Sequence, residues 1–172
     1  MMITSLRNIF ISLKRNIYKA TLIIQAKVVF MTIVGFNFTK IYVERMGSPK
    51  GKINIKNNVG IKNVEEADLS LGKSKQSGLR FVFEFTSNYE PKIGEITLTG
   101  EVLYLADDKT VKEVLKGWKK DKKVQKDITA AVLNTVLQKS NIQALMLARD
   151  INLPPPIPLP KVNVADTKEY IG

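Results

Sequence analysis

The residue types that most often carry out acid–base or nucleophilic chemistry are missing from this sequence. The chain contains no histidine and no cysteine. This excludes a histidine general base, a Ser-His-Asp triad, a Cys-His dyad and a Cys/His zinc site. It also excludes a disulfide framework, which fits a reducing cytoplasm as the location of the protein. A hydrolase built on this chain would depend on carboxylates, lysines or a carboxylate-bound metal.

Two pairs of adjacent acids, Glu65–Glu66 and Asp107–Asp108, could bind Mg²⁺ or act as acid and base. Adjacent carboxylates point in different directions on a strand, however, and both pairs fall in segments with turn character. We therefore predict a solvated loop for the first pair and a helix cap for the second. The glycines fit neither of the phosphate-cradling patterns. We predict no catalytic residue, no metal and no cofactor, and hence a protein that is not an enzyme.

The segment KGWKKDKKVQK (116–126) places six lysines around one tryptophan. It could contact RNA, because lysines neutralise phosphates and an aromatic ring stacks on a base. The interleaved Asp121 and the absence of arginine favour a solvated helix end instead, with the tryptophan covering the core. A basic RNA- or ribosome-binding module remains the alternative function. Its candidate residues are Lys116, Trp118, Lys119, Lys120, Lys122 and Lys123.

The segment RDINLPPPIPLPKVN (149–163) sets Leu153, Ile157 and Leu159 among five prolines. Such a sequence could be an extended ligand for a proline-binding domain. Its aliphatic side chains need an apolar environment, and its prolines lower the entropy cost of fixing the segment in place. We therefore favour a strap that packs on the protein itself and forms part of a groove.

Composition and charge indicate a folded protein with a basic N-terminal segment. The chain has 172 residues, 44% of them hydrophobic and 25% charged, and a net charge of +11. This is enough chain for one domain with its own core. Residues 1–30 carry five cations and no acid, so the remaining 22 cations and 16 acids give residues 31–172 a net charge of +6. A positive balance favours acidic partners such as RNA or anionic lipid.

Residues 1–30 have several interpretations. The segment could be a signal peptide, but it shows no clear cleavage site. It could also be a membrane-spanning helix over residues 20–36, but Gln25 and Lys27 would interrupt that helix. A basic amphipathic helix on a membrane surface is a third interpretation, which would make the protein a membrane-surface adaptor. We favour a fourth, in which translation starts at Met31, because a strand pattern begins there.

Alternating and helical patterns predict an α+β fold. We expect strands over 35–46, 53–64, 79–89 and 93–107, a turn or crossover over 47–52 and a polar loop over 65–78. The last two strands form an antiparallel hairpin. Helices are expected over 109–120 and about 124–151. The result is a four-stranded antiparallel sheet with a short and a long helix packed on one face.

The periodicity also predicts which side chains share a face. In the first strand, Phe36 and Phe38 lie on one face, and Thr39, Ile41 and Val43 on the other. The long helix is apolar over more than a narrow stripe, so we expect it to face both its own sheet and another subunit. Three further sets recur at the expected spacing: Leu79, Phe81, Phe83 and Phe85; Ile96, Leu98, Gly100, Val102 and Tyr104; and Ile128, Val132, Val136, Leu137, Leu145, Ala148 and Ile151.

The order of these elements resembles the SecB family of export chaperones. That family begins with an aromatic strand like the one carrying Phe36, Ile41 and Tyr42. Its long helix is followed by a proline-containing connector with a Pro-Val-Asn-like step, matched by Pro160, Val162 and Asn163 with one inserted residue. The resemblance covers about residues 34–164. It implies a SecB-like domain over 31–164, between an N-terminal extension (1–30) and a polar tail (165–172).

The resemblance implies a holdase that binds unfolded polypeptides in apolar grooves without nucleotide or metal. It further implies a homo-oligomer, either a dimer or a dimer of dimers, and export machinery or a toxin–antitoxin pair as partners. The basic charge, the polar tail and the helix at 109–120 depart from the family pattern and suit an archaeal or stand-alone relative. Carried over, the groove residues are Ile53, Ile55, Val59, Leu145, Leu153, Ile157 and Leu159.

Overall fold

The computed structural model describes residues 32–48, 51–71 and 74–160. Four strands are followed by two helices: β1 (Thr32–Arg45), β2 (Asn54–Leu71), β3 (Ser74–Glu90), β4 (Gly94–Leu105), α1 (Asp108–Asp121) and α2 (Lys126–Asp150). The strands form one antiparallel sheet in the order β1-β4-β3-β2. The predicted fold class is confirmed: an α+β protein with a four-stranded antiparallel sheet, a short helix and a long helix.

The described chain divides into two compact units. Unit one contains residues 32–36, Val64–Phe81 and Val102–Gln125, and therefore α1. Unit two contains Asn37–Asn63, Val82–Glu101 and residues 126–160, and therefore α2. The predicted boundaries at residues 30/31 and 164/165 lie outside the described residues, so the domain division stays a prediction.

Strands β3 and β4 form because their side chains alternate between apolar and polar. The predicted apolar residues of both strands are buried, and most of the residues between them are partly buried. In β3 the buried residues are Leu79, Phe81, Phe83 and Phe85. The turn between the strands is closed by the Ile93 N–H, which donates to the Tyr89 carbonyl (2.9 Å). Gly100 has no side chain for a structural reason, since a Cβ there would lie 2.6 Å from the Phe83 ring.

The predicted polar loop over 65–78 is wrong. β2 continues to Leu71 and β3 starts at Ser74, so most of this segment is strand. This segment has a buried face formed by Val64, Ala67 and Leu69, and the acids between them are exposed. The buried face includes a small alanine and no aromatic residue, so the sequence pattern does not mark it as a strand. Pairing with β3 supplies the backbone hydrogen bonds that the sequence pattern does not reveal. Glu65 and Glu66 therefore lie exposed on a strand instead of in a loop.

The predicted faces of β1 are wrong at one position. Phe38 and Val43 both pack against the same hydrophobic cluster, although regular alternation would place them on opposite faces. The alternation is therefore interrupted between them. Phe38 lies edge-on to Phe83, with ring centroids 6.1 Å apart. Ile41 and Tyr42 are exposed on this strand.

Both helices begin and end with local signals. The Asp107 carboxylate accepts the Thr110 N–H (2.8 Å), which confirms an acidic N-cap for α1. α1 ends at Asp121, and the left-handed backbone of the cap residue Lys122 (φ 54) turns the chain so that the Lys123 N–H donates to the Gly117 carbonyl (3.4 Å). α2 buries every fourth residue: Ile128, Val132, Val136, Ser140, Ala144 and Ala148.

No helix within residues 32–48, 51–71 and 74–160 has both the length and the hydropathy of a membrane span. Within the same ranges, no group of three or more acids could hold a metal ion.

Candidate functional site

Residues 151–160 leave the end of α2 as an extended segment, which we call the strap. Asn152 takes a left-handed backbone (φ 54), and the following Leu153 N–H donates back to the Ala148 carbonyl (2.8 Å). This hydrogen bond ends the helix and turns the chain. Leu153 is only 6% exposed and joins a hydrophobic cluster with Phe85 and Ile93. The first residues of the strap are thus part of the core of unit two.

Polar side chains of β2 and β3 fix the next residues of the strap. The Tyr89 hydroxyl donates to the Pro154 carbonyl (3.0 Å), and the Asn57 amide donates to the Pro156 carbonyl (2.7 Å). The buried Ser87 hydroxyl donates to the Asn57 side-chain oxygen (2.6 Å) and orients that amide. Burial raises the pKa of Tyr89 to about 12, so its hydroxyl stays a donor at neutral pH.

These contacts confirm that the proline segment packs on its own chain. Proline has no N–H to donate, so at these positions only the carbonyls need partners, and β2 and β3 supply partners for two of them. Pro156 is buried along with Leu153. The interpretation of this segment as a free ligand for a proline-binding domain therefore does not describe its first half. Whether the strap lines a groove stays a prediction.

The structure brings most of the predicted groove residues into one region of unit two. Ile53, Ile55 and Val59 are partly buried and pack against the cluster that contains Leu153. Leu145 is partly buried, and so is Ile157. Leu159 is 46% exposed. Leu153 itself is a core residue that anchors the strap, and it also lines the cavity described next.

A cavity of about 260 Å³ lies between the end of α2 and the strap. Its lining is mainly apolar, with one arginine. This cavity brings Leu145 and Leu153 together, as the groove prediction requires. The lining residues are Leu145, Ala148, Arg149, Asn152, Leu153 and Pro155.

Sequence reasoning missed two residues beside this cavity. Ile142 is 59% exposed and Met146 is 47% exposed, although both are large and apolar. Residues three and four apart are neighbours on a helix surface, so these two adjoin Leu145 and Arg149 on the cavity rim. The phase of the helix could have revealed them, because burial at every fourth residue up to Ala148 turns positions 142 and 146 outward.

The structure does not give the lysine-rich segment 116–126 the arrangement of the predicted RNA contact, in which the Trp118 ring would stack on a base. Trp118 is buried, at 8% exposed, and the Lys122 ammonium lies 5.0 Å from its ring centroid. The ring is therefore part of the core and has no open face on which a base could stack. Lys116, Lys119, Lys120, Lys122 and Lys123 are all exposed.

Comparison with known proteins gives a distant likeness in fold to solved structures. No family model matches the sequence, and no curated protein matches it. Among solved structures, the chain is similar to the Mycobacterium tuberculosis SecB-like chaperone Rv1957 in complex with a ChAD peptide from the Rv1956 HigA1 antitoxin. The TM-score is 0.45 at 10% sequence identity, over 79% of this chain and 90% of that one. The likeness concerns the fold alone, so membership of the SecB family stays a prediction.

Proposed function

We propose that this protein is an ATP-independent holdase that binds non-native polypeptides in an apolar groove of unit two. The observation that carries the proposal is an exposed apolar stripe on α2 that adjoins a cavity beside the strap. Ile142 and Met146 form the stripe, and Leu145 lies in the cavity wall. Contiguous apolar surface of this kind marks interaction sites.

The size of the cavity favours a peptide side chain over a small molecule. Its volume of about 260 Å³ lies below the roughly 300–1,000 Å³ typical of ligand pockets. Arg149 is the only ionisable group in its lining, so there is no convergent set of polar groups to orient a metabolite. An apolar side chain of an extended polypeptide fits this chemistry. The partly buried Ile53, Ile55 and Val59 extend the apolar surface of the unit.

The sheet offers a way to bind the backbone of such a client. β1 and β2 are the edges of the described sheet, and an edge strand has one row of N–H and C=O groups that the sheet does not use. An extended segment can add to such an edge as a further strand. We assign the β2 edge, next to the strap, to the client.

The exposed Ile41 and Tyr42 on β1 favour that edge as the contact with a second copy of the chain. The proposal therefore includes a homo-oligomer, either a dimer or a dimer of dimers. It also includes action in the cytoplasm, with export machinery or a toxin–antitoxin pair as candidate partners.

The test is aggregation of a chemically unfolded client protein, followed by light scattering without nucleotide. The full chain should suppress aggregation at near-stoichiometric concentration. Met146→Asp and Leu159→Asp should each need several-fold more protein for the same suppression, because a carboxylate in an apolar contact must be desolvated. Met46→Asp is the matched control, since Met46 is 50% exposed and Met146 is 47% exposed, and Met46 lies outside the cavity.

Two outcomes would reject this function. One is a wild-type protein that leaves client aggregation unchanged at every ratio. The other is a control variant, Met46→Asp, that loses as much suppression as Met146→Asp, because the apolar stripe would then have no special role. Circular dichroism of each variant checks that the fold is retained.

A further inference from the structure

One side of α1 carries a cluster of lysines that the holdase function does not use. A shallow depression of about 480 Å³ is lined by Lys112, Lys116, Lys119 and Lys120 together with Leu115. At 3.6 residues per turn, the four lysines fall within an arc of about 100°. We call these four residues the lysine face. The depression is thus lined by four cations and one aliphatic side chain.

The charges of the lysine face are not neutralised by the protein. The side chains of Lys112, Lys116, Lys119 and Lys120 take part in no salt bridge or hydrogen bond within the part of the chain that the structure describes. Of the acids on the same helix, Glu113 faces Lys109 at 3.9 Å and accepts a hydrogen bond from Gln125 (3.3 Å), and Asp108 accepts one from the Ser77 hydroxyl. Residues 108–123 contain seven lysines and three acids, a net charge of +4. Four close like charges repel one another, and a bound polyanion would remove that repulsion.

The buried side of α1 argues against a membrane as the partner. The apolar residues on one side of the helix, Val111, Val114 and Trp118, are buried in the protein. A helix that lies on a membrane inserts an apolar face, and here that face is already used. Leu115 is partly buried and is the only apolar side chain among the residues that line the depression. The lysine face can therefore contribute charge but very little apolar insertion.

The shape and spacing of the lysine face suit a single phosphate chain. Lys112, Lys116 and Lys120 follow one another at about 6 Å along the helix axis, since each residue rises about 1.5 Å. A flat lipid surface would contact the rim of the depression, whereas a single strand can lie within it. No arginine fork is present for base recognition, and Trp118 is too buried to stack. Recognition would therefore be of phosphates and not of bases.

We propose that the lysine face binds the phosphodiester backbone of single-stranded nucleic acid without sequence preference. This site is separate from the holdase groove and does not depend on the proposed holdase function. It differs from an RNA contact over 116–126 in three ways. Lys112 joins the site, Trp118 takes no part, and Lys122 and Lys123 lie at the helix end and outside the depression lining.

The test is fluorescence anisotropy of a labelled 12-nucleotide uridine RNA titrated with the full chain. Four phosphate contacts give a slope of log Kd against log salt of about 3, and hence roughly fifty-fold weaker binding at 200 mM than at 50 mM salt. The fourfold variant Lys112→Gln, Lys116→Gln, Lys119→Gln and Lys120→Gln should lose nearly all of this binding and most of the salt dependence. It should still suppress client aggregation, which separates this proposal from the holdase function.

The matched control removes the same charge from elsewhere on the surface. Lys40, Lys52, Lys92 and Lys139 are exposed, and their fourfold glutamine variant should bind the RNA within about threefold of wild type. Equal losses in the two variants would overturn the site, since net charge alone would then explain binding. Wild-type protein that binds no RNA at 50 mM salt would also overturn it. So would tighter binding to vesicles of anionic phospholipid that the RNA does not displace.

Discussion

Leu153 is the residue on which the packing of the strap depends most directly. Its side chain is 6% exposed and lies against the backbone of Gly94, where a Cβ would come within 2.9 Å of a Leu153 methyl carbon. It also closes one wall of the cavity at the end of α2. Leu153→Ala removes three carbon atoms from this position and leaves every strap hydrogen bond in place. The variant therefore isolates the apolar contribution of the strap.

Truncation of a buried leucine to alanine costs about 2.7–5 kcal/mol, and the cost depends on how well the site can collapse. One side of Leu153 already borders a cavity of about 260 Å³, so fewer contacts are lost on that side. We therefore expect Leu153→Ala to lower the free energy of unfolding by about 3 kcal/mol, near the lower end of that range.

Urea unfolding followed by circular dichroism measures this change. With an m-value of about 2 kcal/mol/M, the midpoint should fall by roughly 1.5 M at constant m. Leu159→Ala is the control, because Leu159 is 46% exposed and its truncation should change stability by less than about 0.5 kcal/mol. Equal midpoints for Leu153→Ala and wild type would refute the packed strap. The segment would then be available as an extended ligand for another protein.

Two further predictions concern the helices. The Ser140 hydroxyl is buried and has no hydrogen-bond partner in the described structure, so Ser140→Ala should raise the free energy of unfolding by about 1 kcal/mol; a destabilised variant in urea unfolding would reveal a partner for this hydroxyl. The Thr110 N–H that donates to Asp107 holds the pKa of the Asp107 carboxyl below its ordinary value of 3.8. The cap therefore stabilises the folded protein fully above that value, and its contribution decreases as the pH falls through the lowered pKa. Asp107→Ala should therefore cost about 1 kcal/mol at pH 7 and much less at pH 2 in matched unfolding curves, and a cost that does not change with pH would contradict this role.

Much of the fold could be read from local patterns. In β3 and β4, apolar and polar residues alternate because one face of these strands is buried more deeply than the other. This alternation therefore identifies the buried face directly from the sequence. Asp107 marks the start of α1 because a carboxylate satisfies helix N–H groups by a purely local contact. The aliphatic residues among the prolines indicated a packed strap for a similarly local reason.

Other features depend on residues that are distant along the chain. The strand character of residues 65–71 comes from pairing with β3, and no local pattern reports a partner strand. Val43 joins the same cluster as Phe38 because β1 departs from regular alternation, which depends on how the strand meets its neighbours. The side chains of Asn57 and Tyr89 became strap anchors only when folding brought β2 and β3 to the proline carbonyls.

The sequence alone determined the α+β class, the absence of histidine and cysteine chemistry, and the presence of a lysine-rich helix and a proline strap. These features follow from composition and from apolar residues that recur every two positions in strands and nearly every four in helices. Such patterns depend only on residues close together in the sequence. The tertiary structure alone decided which apolar residues are free to bind. It buried Leu153 and Trp118 while leaving Ile142, Met146 and Leu159 exposed. Exposure depends on what packs against a residue, and an apolar side chain has the same sequence signature in a core and in a binding surface.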